Sequence, residues 1–533
     1  MNLTAGTFKK YADFPVCLII ILGLTCISSS LFVEYTLAPK WICLFAWILF
    51  VVLLNCVQTL VSPGRLRIFG NMATMIVAFV AVAGFMSVYG LLQNKGLIPS
   101  VGRFRITGSF DNPAGFASAL VFMMPFILYG MIAANKILRG ASQIVFFVMF
   151  LAIALSGSRA GMLSVLIILI FGGHKFITKR SVAKWGLIIA WVLLLAAYMY
   201  TKMDSASGRL LIWNVTFDMI RDNWLWGMGR GGFAAEYMNC QAAFLADNPN
   251  EKWMMLADNI QHPFNELLYL WVSFGIFPVL ALCVLGVCVL KRYFADRCPE
   301  KLVALLSFLS VVVFAMFSYP FKYPFTWFVV AYSIAILLHD APFVQRLSEL
   351  NAHVKRMVAL IIFAVTIWFS YEYNSRIRSE LQWAEIVASR QYGEEQLQQY
   401  EALYAKKNTD RFFLYNYAYA LYHTENYEKA RDVAEKCEVL WADYDLQLLL
   451  GLIAEKQNDF GRAMECFDMA SAMCPNRFRP LHLKMNLCET LGDIENAMKI
   501  AEEIMCKKIK VPSVEVSQIV NHATGFYEQN HAE

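Results

Sequence analysis

Long apolar segments dominate the first 371 of the 533 residues. A helix needs about 20 apolar residues to cross a bilayer, and it satisfies its own backbone hydrogen bonds in lipid. Segments of this kind occur at 16–33, 41–61, 71–93, 113–134, 142–157, 160–173, 184–200, 264–290, 302–319, 324–338 and 356–371. We therefore expect an all-α, polytopic membrane bundle of about eleven spans.

Charge divides the chain at the end of the last apolar segment. Residues 1–370 contain 28 Lys and Arg against 15 Asp and Glu, whereas residues 371–533 contain 18 against 26. Charged residues are 16% of the whole chain, below the roughly 25% of soluble proteins. This pattern excludes a disordered chain and an ordinary soluble enzyme. It predicts a membrane domain at 1–371 and a soluble, mildly acidic domain at 372–533.

Basic residues occur in alternate loops between the predicted spans. By the positive-inside rule, such loops face the cytoplasm, so we do not interpret the basic charge as a sign of nucleic-acid binding. The large loop 201–263 and the domain 372–533 then lie on the outer face. The basic residues are Lys9, Lys10, Arg65, Arg67, Lys136, Arg139, Lys175, Lys179, Arg180, Lys184, Lys291, Arg292, Arg297, Lys301, Arg346, Lys355 and Arg356.

Residues 142–173 fit a hairpin of two short helices better than one long helix. The sequence Ser156-Gly157-Ser158-Arg159 lies in the middle, and both flanks are basic. Both ends therefore favour the cytoplasm, and an arginine at mid-membrane is costly. We expect a turn here, with Arg159 near the outer surface.

Residues 411–512 repeat with a period near 34. The pattern resembles the tetratricopeptide repeat, a pair of packed helices that stacks into a solenoid. Its strongest copy contains Gly451, Ala463, Phe467, Ala470 and Pro475, and Ala430 and Ala497 keep the phase in the flanking copies. Such solenoids bind peptides or protein partners. The alternative is a stack that only supports the large outer loop.

Unusual polar residues gather in the predicted outer loops. The sequence has no glycine-rich nucleotide loop and no H-E-x-x-H motif, which argues against a nucleotide-driven pump and against a metal centre or cofactor. The glycine-rich run 227–233 is a candidate for presenting backbone amides to an anion. The outer polar residues are Arg103, Arg105, Asp111, Asn112, Arg159, Arg209, Arg230, His262, Asn265 and Glu266.

Five outer motifs occur in the order of a known family, the O-antigen ligase superfamily, which the sequence resembles over residues 70–340. This superfamily includes lipopolysaccharide O-antigen ligases, protein O-oligosaccharyltransferases and polysaccharide polymerases. The motifs are R-I-T-G-S-F-D-N-P-A-G (105–115), S-G-S-R-A-G-M-L (156–163), S-G-R-L-L-I-W (207–213), W-L-W-G-M-G-R-G-G-F (224–233) and H-P-F-N-E-L-L (262–268).

The resemblance implies a metal-independent glycosyltransferase of the bacterial inner membrane. The donor would be a glycan on undecaprenyl diphosphate, and the acceptor a hydroxyl of a glycolipid, a glycan or a protein on the periplasmic face. Without a metal, arginines must neutralise the diphosphate, and their forked donors suit phosphate. The family's Arg-x-x-x-Leu motif corresponds to Arg159 and Leu163, and its outer-loop arginine corresponds best to Arg209.

The family's catalytic histidine corresponds to His262, with one departure from the usual pattern. The family often places histidine directly before an asparagine and eleven residues before a glycine. Here Phe264 stands in that place, before Asn265 and Gly275, and His262 lies two residues upstream. His262 remains the candidate general base, because Pro263 makes an irregular helix start plausible.

Six further residues are candidates for binding the donor diphosphate or the glycan. Each also has a structural explanation. Asn112 before Pro113 is first a helix cap, and the glycines around Arg230 shape a turn. The arginines, including Arg159 and Arg209, also suit lipid headgroups or an ordinary loop. The six are Arg103, Arg105, Arg230, Asn112, Asn265 and Glu266.

Two other classes of function compete with the transferase. A lipid or glycan transporter would carry a polar path through the bilayer midplane, but the predicted spans contain few charges. A non-catalytic scaffold would only display the repeats and would scatter the outer arginines and His262. The expected partners of the transferase are the lipid-linked donor, an acceptor, membrane lipids and a protein bound through the repeats.

The topology gives a first testable prediction. A reporter that is active only in the cytoplasm, fused after Glu533, should be silent, because the alternating basic loops place the last domain on the outer face. Fusion of the same reporter after Arg297 is the matched control and should be active. An active reporter at Glu533 would overturn the span count.

Overall fold

The computed structural model describes residues 14–61, 72–176, 181–201, 203–342, 346 and 349–531. All regular elements among these residues are helices, which confirms the all-α class. Six of the basic residues used to predict the topology lie outside the described residues. They are Lys9, Lys10, Arg65, Arg67, Lys179 and Arg180.

The described residues form two compact units. The first lies within Met1–Thr201, Phe264–Glu266 and Ala281–Ala384, and the second within Lys202–Pro263, Leu267–Leu280 and Glu385–Glu533. The large loop thus clusters with the C-terminal helices. The predicted boundary between membrane and soluble domains at 371 lies inside one continuous helix, Ala352–Ser389.

Eleven helices correspond to the predicted apolar segments. Six are long and apolar enough to cross a membrane, and three shorter ones are also apolar, which supports a multi-pass membrane protein. The total of eleven spans stays a prediction. The helices are α1 (Phe14–Thr25), α2 (Ala38–Val61), α3 (Met72–Asn94), α4 (Pro113–Gly130), α5 (Lys136–Ser156), α6 (Arg159–Phe176), α7 (Ser181–Thr201), α8 (Ile276–Ala295), α9 (Pro299–Ala315), α10 (Pro324–Leu338) and α11 (Ala352–Ser389).

Helix α4 is the centre of the first unit. It is apolar on every side and almost entirely buried, as expected for a helix surrounded by others. It packs against α3, α5, α6, α9 and α10. Aromatic rings make several of these contacts: the Phe126 ring lies 4.9 Å from Phe79 and 5.7 Å from Tyr332, and the Phe122 ring lies 5.6 Å from Phe314.

The prediction of two helices at 142–173 is confirmed. Helix α5 ends at Ser156, and Gly157 follows it in the left-handed conformation with a φ of 69°. The Ser158 hydroxyl accepts a hydrogen bond from the Gly161 amide at 3.2 Å and so caps the next helix. Arg159 is the first residue of that helix, α6.

The structure corrects the predicted span 264–290. Two helices replace it, Glu266–Phe274 and α8, and Gly275 between them has a φ of +73°. A Cβ atom at Gly275 would lie 2.0 Å from the carbonyl oxygen of Leu225. The helix therefore breaks where another backbone segment of the second unit comes too close for any side chain.

Six of the C-terminal helices form three consecutive pairs in the predicted repeat phase, α13 to α18 below, and one further helix lies on either side of them in the chain. Each helix packs against the next one along the chain. The Phe467 ring fills the space opposite Gly451, where a Cβ atom would lie 2.4 Å from the ring. The result is a tetratricopeptide-like solenoid. The helices are α12 (Glu394–Lys407), α13 (Arg411–His423), α14 (Tyr427–Leu440), α15 (Tyr444–Lys456), α16 (Phe460–Met473), α17 (Arg479–Thr490), α18 (Ile494–Cys506) and α19 (Val514–His531).

The large loop adds three helices to this unit. They are α20 (Met203–Asp222), α21 (Gly232–Asp247) and α22 (Glu251–Leu256), and the short helix α23 (Glu266–Phe274) follows them. Helix α21 packs against α14 and α16, the second helices of two neighbouring repeats. The loop and the repeats therefore share one packed structure.

The break at Gly275 gives a prediction about stability. We expect Gly275→Ala to destabilise the protein by about 2 kcal/mol or more, because a side chain would meet the Leu225 backbone and the left-handed conformation is strained. Gly286→Ala, on α8, is the matched control, since no described atom outside its own helix backbone and its chain neighbours lies within 4 Å of a Cβ there. Thermal unfolding in detergent measures both. Equal melting temperatures for the two variants would contradict the proposed close approach.

Candidate functional site

Asn112 organises the loop before the central helix of the first unit. Its side-chain oxygen accepts hydrogen bonds from the Ala114 and Gly115 amides at 2.8 and 3.0 Å, which confirms the predicted helix cap. Its side-chain nitrogen donates to the Tyr319 and Tyr323 hydroxyls at 3.0 and 2.8 Å. The side chain thus joins the start of α4 to the segment before α10. These four bonds assign it a structural role.

Asp111, the neighbouring residue, is the acceptor in the same cluster. It forms an ion pair with Lys322, with 2.8 Å between nitrogen and oxygen, and it accepts a hydrogen bond from the Tyr323 hydroxyl at 2.8 Å. Burial raises the pKa of Tyr323 well above its ordinary value, so this phenol stays protonated and donates. A half-buried carboxylate, a lysine and two tyrosines therefore meet at this loop.

Lys40 belongs to the same region, although it is not among the residues predicted from the sequence. It is fully buried at the start of α2. Its ammonium donates to the carbonyl oxygens of Ile27, Thr36 and Ser109 at 2.7, 2.6 and 2.8 Å, and it lies 4.8 Å from the Phe110 ring centre. A buried cation needs such acceptors. In the sequence, its position immediately before the apolar segment 41–61 is the feature that could have indicated it.

Residues 264–266 bring two candidate residues into the first unit. Phe264 has a φ of 53°, which is rare for a residue with a bulky side chain, and its ring lies 5.3 Å from Tyr319. Asn265 is buried. A Glu266 carboxylate oxygen accepts a hydrogen bond from the Phe321 amide at 3.1 Å. Burial raises the pKa of Glu266 to about 7, because the charged form loses contact with water.

The arginine candidates of the first unit differ in burial. Arg159 is half-buried at the first position of α6, whereas Arg103 and Arg105 are exposed on the connection between α3 and α4. A half-buried arginine at the start of a helix, where the backbone amides also point outward, is suited to an anion. Of these three arginines, Arg159 is the half-buried one at a helix start, and its contact with a diphosphate stays a prediction.

Arg209 and His262 belong to the second unit, on elements that touch. Arg209 is half-buried on α20. One turn further along, the Trp213 indole donates a hydrogen bond to the Pro263 carbonyl at 2.9 Å. Pro263 follows His262, whose ring lies 5.9 Å from the Tyr269 ring in an edge-to-face arrangement. The helix of Arg209 is thus fastened to the segment of His262.

The structure does not support the predicted anion site at the glycine-rich run 227–233. The Met228 and Gly229 amides donate to the carbonyls of Val272 and Ser273 at 2.7 and 2.9 Å. The Gly227 and Gly232 amides also donate to backbone carbonyls. These four amides are already used, so the glycines serve the close approach to α23 and the break at Gly275. Arg230, within this run, is exposed.

The candidate residues divide between the two units. No group of three or more His, Cys, Asp or Glu side chains within the described residues is arranged to hold a metal ion. Metal independence stays a prediction. Arg103, Arg105, Asn112, Arg159, Asn265 and Glu266 belong to the first unit, and Arg209, Arg230 and His262 to the second.

A known protein family matches the middle of the chain. Residues 144–283 match the family described as O-antigen ligase. The predicted resemblance is confirmed. The matched segment includes Arg159, Arg209, Arg230 and His262, and it supports a membrane glycosyltransferase of the ligase and polymerase superfamily.

Two further comparisons add nothing to this conclusion. No curated protein matches the chain. Among solved structures, the crystal structure of the yeast Tom70 is 10% identical and aligns over 90% of this chain and 85% of that chain, with a TM-score of 0.22. This similarity is too low to support an argument about fold or function.

Proposed function

We propose that the protein transfers a glycan from undecaprenyl diphosphate to an acceptor hydroxyl on the periplasmic face of the bacterial inner membrane. The observation that carries this proposal is the family match over 144–283, which contains both arginines and the histidine expected to perform the reaction. The chain's apolar helices supply the membrane setting that a polyprenyl lipid requires.

The reaction is an inverting displacement at the anomeric carbon of the glycan. The acceptor oxygen forms a bond to this carbon while the carbon–oxygen bond to the diphosphate breaks. His262 accepts the proton of the acceptor hydroxyl as general base. The leaving diphosphate takes the electron pair of the broken bond, and Arg159 and Arg209 neutralise its charge.

Glu266 has a supporting role in this proposal. Among the described residues, its half-buried carboxylate accepts one hydrogen bond, from the Phe321 amide, so it retains further acceptor capacity for a sugar hydroxyl. It is also the alternative base if His262 proves dispensable, because its pKa of about 7 suits proton transfer near neutral pH.

Substitution of the three reacting residues tests the proposed function. Arg159→Ala, Arg209→Ala and His262→Ala should each lower transfer by a factor of about 100 or more, because each removes charge stabilisation or the base. Arg221→Ala is the matched control: Arg221 lies on the same helix as Arg209, is exposed, and among the described residues forms its ion pairs with the neighbouring Asp218 and Asp222. Purified enzyme with the lipid-linked glycan of the source strain provides the measurement.

Three results bear on the parts of this proposal separately. Full activity in both arginine variants would contradict charge neutralisation by these residues. Full activity in His262→Ala alone would transfer the role of base to another group. Strong inhibition of the wild-type enzyme by EDTA would contradict the metal-independent mechanism. Lipopolysaccharide, glycoprotein and capsule profiles of a deletion strain distinguish a ligase from a protein glycosyltransferase or a polymerase.

The raised pKa of Glu266 gives a prediction about pH. Below about pH 7 this carboxyl is protonated and becomes a weaker acceptor, so the KM for the lipid-linked glycan should rise as pH falls from 8 to 6. Glu266→Gln should raise KM at pH 8 and remove most of this pH dependence. Glu236→Gln, an exposed carboxyl on α21, should retain the wild-type profile. An unchanged profile in Glu266→Gln would exclude Glu266 from glycan binding.

A further inference from the structure

The segment 257–263 leads to the candidate base without regular secondary structure of its own. It runs from the end of α22 to Pro263, and side chains from the repeats hold much of it in place. The Asn476 side chain donates to the Ala257 carbonyl, and Arg477 forms an ion pair with Asp258, with 2.7 Å between nitrogen and oxygen. An irregular segment needs such partners, because it cannot satisfy its own backbone groups.

Asp443 is the central acceptor for this segment. It lies between two repeat helices, is 1% exposed, and uses both carboxylate oxygens. One oxygen caps α15 by accepting the Asp445 and Leu446 amides at 2.8 and 3.2 Å. The other accepts the side-chain amides of Asn259 and Gln261 at 2.8 and 3.2 Å. The residue thus joins the helix cap of one repeat to the segment that precedes His262.

Neighbours of Asp443 reinforce the same connection. The Trp441 indole donates to the Gln261 side-chain oxygen at 3.1 Å, and the Ala442 amide donates to the Ala234 carbonyl on α21 at 3.0 Å. Gln261 is therefore held at both ends of its side-chain amide. Since Pro263 is held by Trp213, His262 stands between two anchored neighbours.

We propose that Asp443 is a positioning residue that holds the segment 257–263, and with it His262, in the geometry required for transfer. This inference rests on the proposed function, in which His262 is the base. It assigns to the repeats a role in the reaction itself, besides the binding of a partner.

The substitution Asp443→Asn separates the two roles of the carboxylate, which are to cap α15 and to bind the side chains of Asn259 and Gln261. Asparagine keeps an oxygen for the cap of α15, but it replaces the second oxygen with a donor that faces the donors of Asn259 and Gln261. A buried donor without an acceptor is destabilising, so the segment should detach. A displacement of about 1 Å at a reacting group lowers rates by about 100-fold.

An exchange variant tests whether this contact is responsible. Asp443→Asn combined with Asn259→Asp keeps one carboxylate and one amide and reverses the hydrogen bond between them. The matched control is Asp459→Asn. Asp459 also caps a repeat helix, by accepting the Arg462 amide at 3.2 Å, but it is exposed, and within the described part of the chain its side chain forms no hydrogen bond to the large loop.

The experiment uses the full-length enzyme in detergent with the lipid-linked glycan of the source strain. In Asp443→Asn we expect kcat to fall about 10- to 100-fold with donor KM within about twofold. Deuterium uptake of a peptide covering 257–263 should rise. Both effects should partly revert in the exchange variant, which restores the hydrogen bond to position 259 but leaves the Gln261 amide without its acceptor at position 443, and Asp459→Asn should show neither. A merely structural role would lower the melting temperature and active fraction without this split between kcat and KM.

Three outcomes would overturn the inference. They are unchanged deuterium uptake in Asp443→Asn, increased uptake with wild-type kcat, and an exchange variant no better than the single variant. Failure of the proposed function looks different: the wild-type enzyme would then transfer no glycan. Deuterium uptake would still decide in that case whether Asp443 holds the segment, since it needs no turnover.

Discussion

Each helix end leaves backbone amides or carbonyls without partners inside the helix, and lipid supplies none. The described helices meet this constraint with a small set of devices. Asn112 caps the buried central helix, and its side-chain nitrogen donates hydrogen bonds to two tyrosine hydroxyls. Gly157 and Ser158 reverse the chain within two residues. Where helices end, polar side chains must therefore gather, and these ends are also where the candidate residues occur.

The same constraint explains the buried charges of the first unit. Lys40 is inside the protein, yet three carbonyl oxygens surround its ammonium. Asp111 has both a lysine and a tyrosine as partners. Charges with so many internal partners hold loops together, and their removal would leave other polar groups unpaired. Arg159 and Glu266 each begin a helix and are half-buried, a position that suits contact with a substrate.

The sequence was most informative where a single local rule dominates. Apolar length located the helices, basic flanks predicted the turn before Arg159, and the repeat phase located the helix pairs. It failed where the outcome depends on residues far apart in the chain. The break at Gly275 depends on the approach of Leu225, and two amides of the glycine-rich run are occupied by carbonyls of α23. Lys40 was not predicted because its acceptors come from two separate segments, the connection between α1 and α2 and the loop before α4.

The packing of the large loop limits what the repeats can bind. Helix α21 covers parts of α14 and α16, so the face formed by these second helices is used inside the protein. Gln241 on α21 is fully buried and donates to the carbonyls of Asp258 and Met473, one in the loop and one in a repeat. Removing either side would take away one of the two acceptors of this buried amide. A partner recruited by the solenoid must therefore use another face, and the face against α21 belongs to the structure that carries His262.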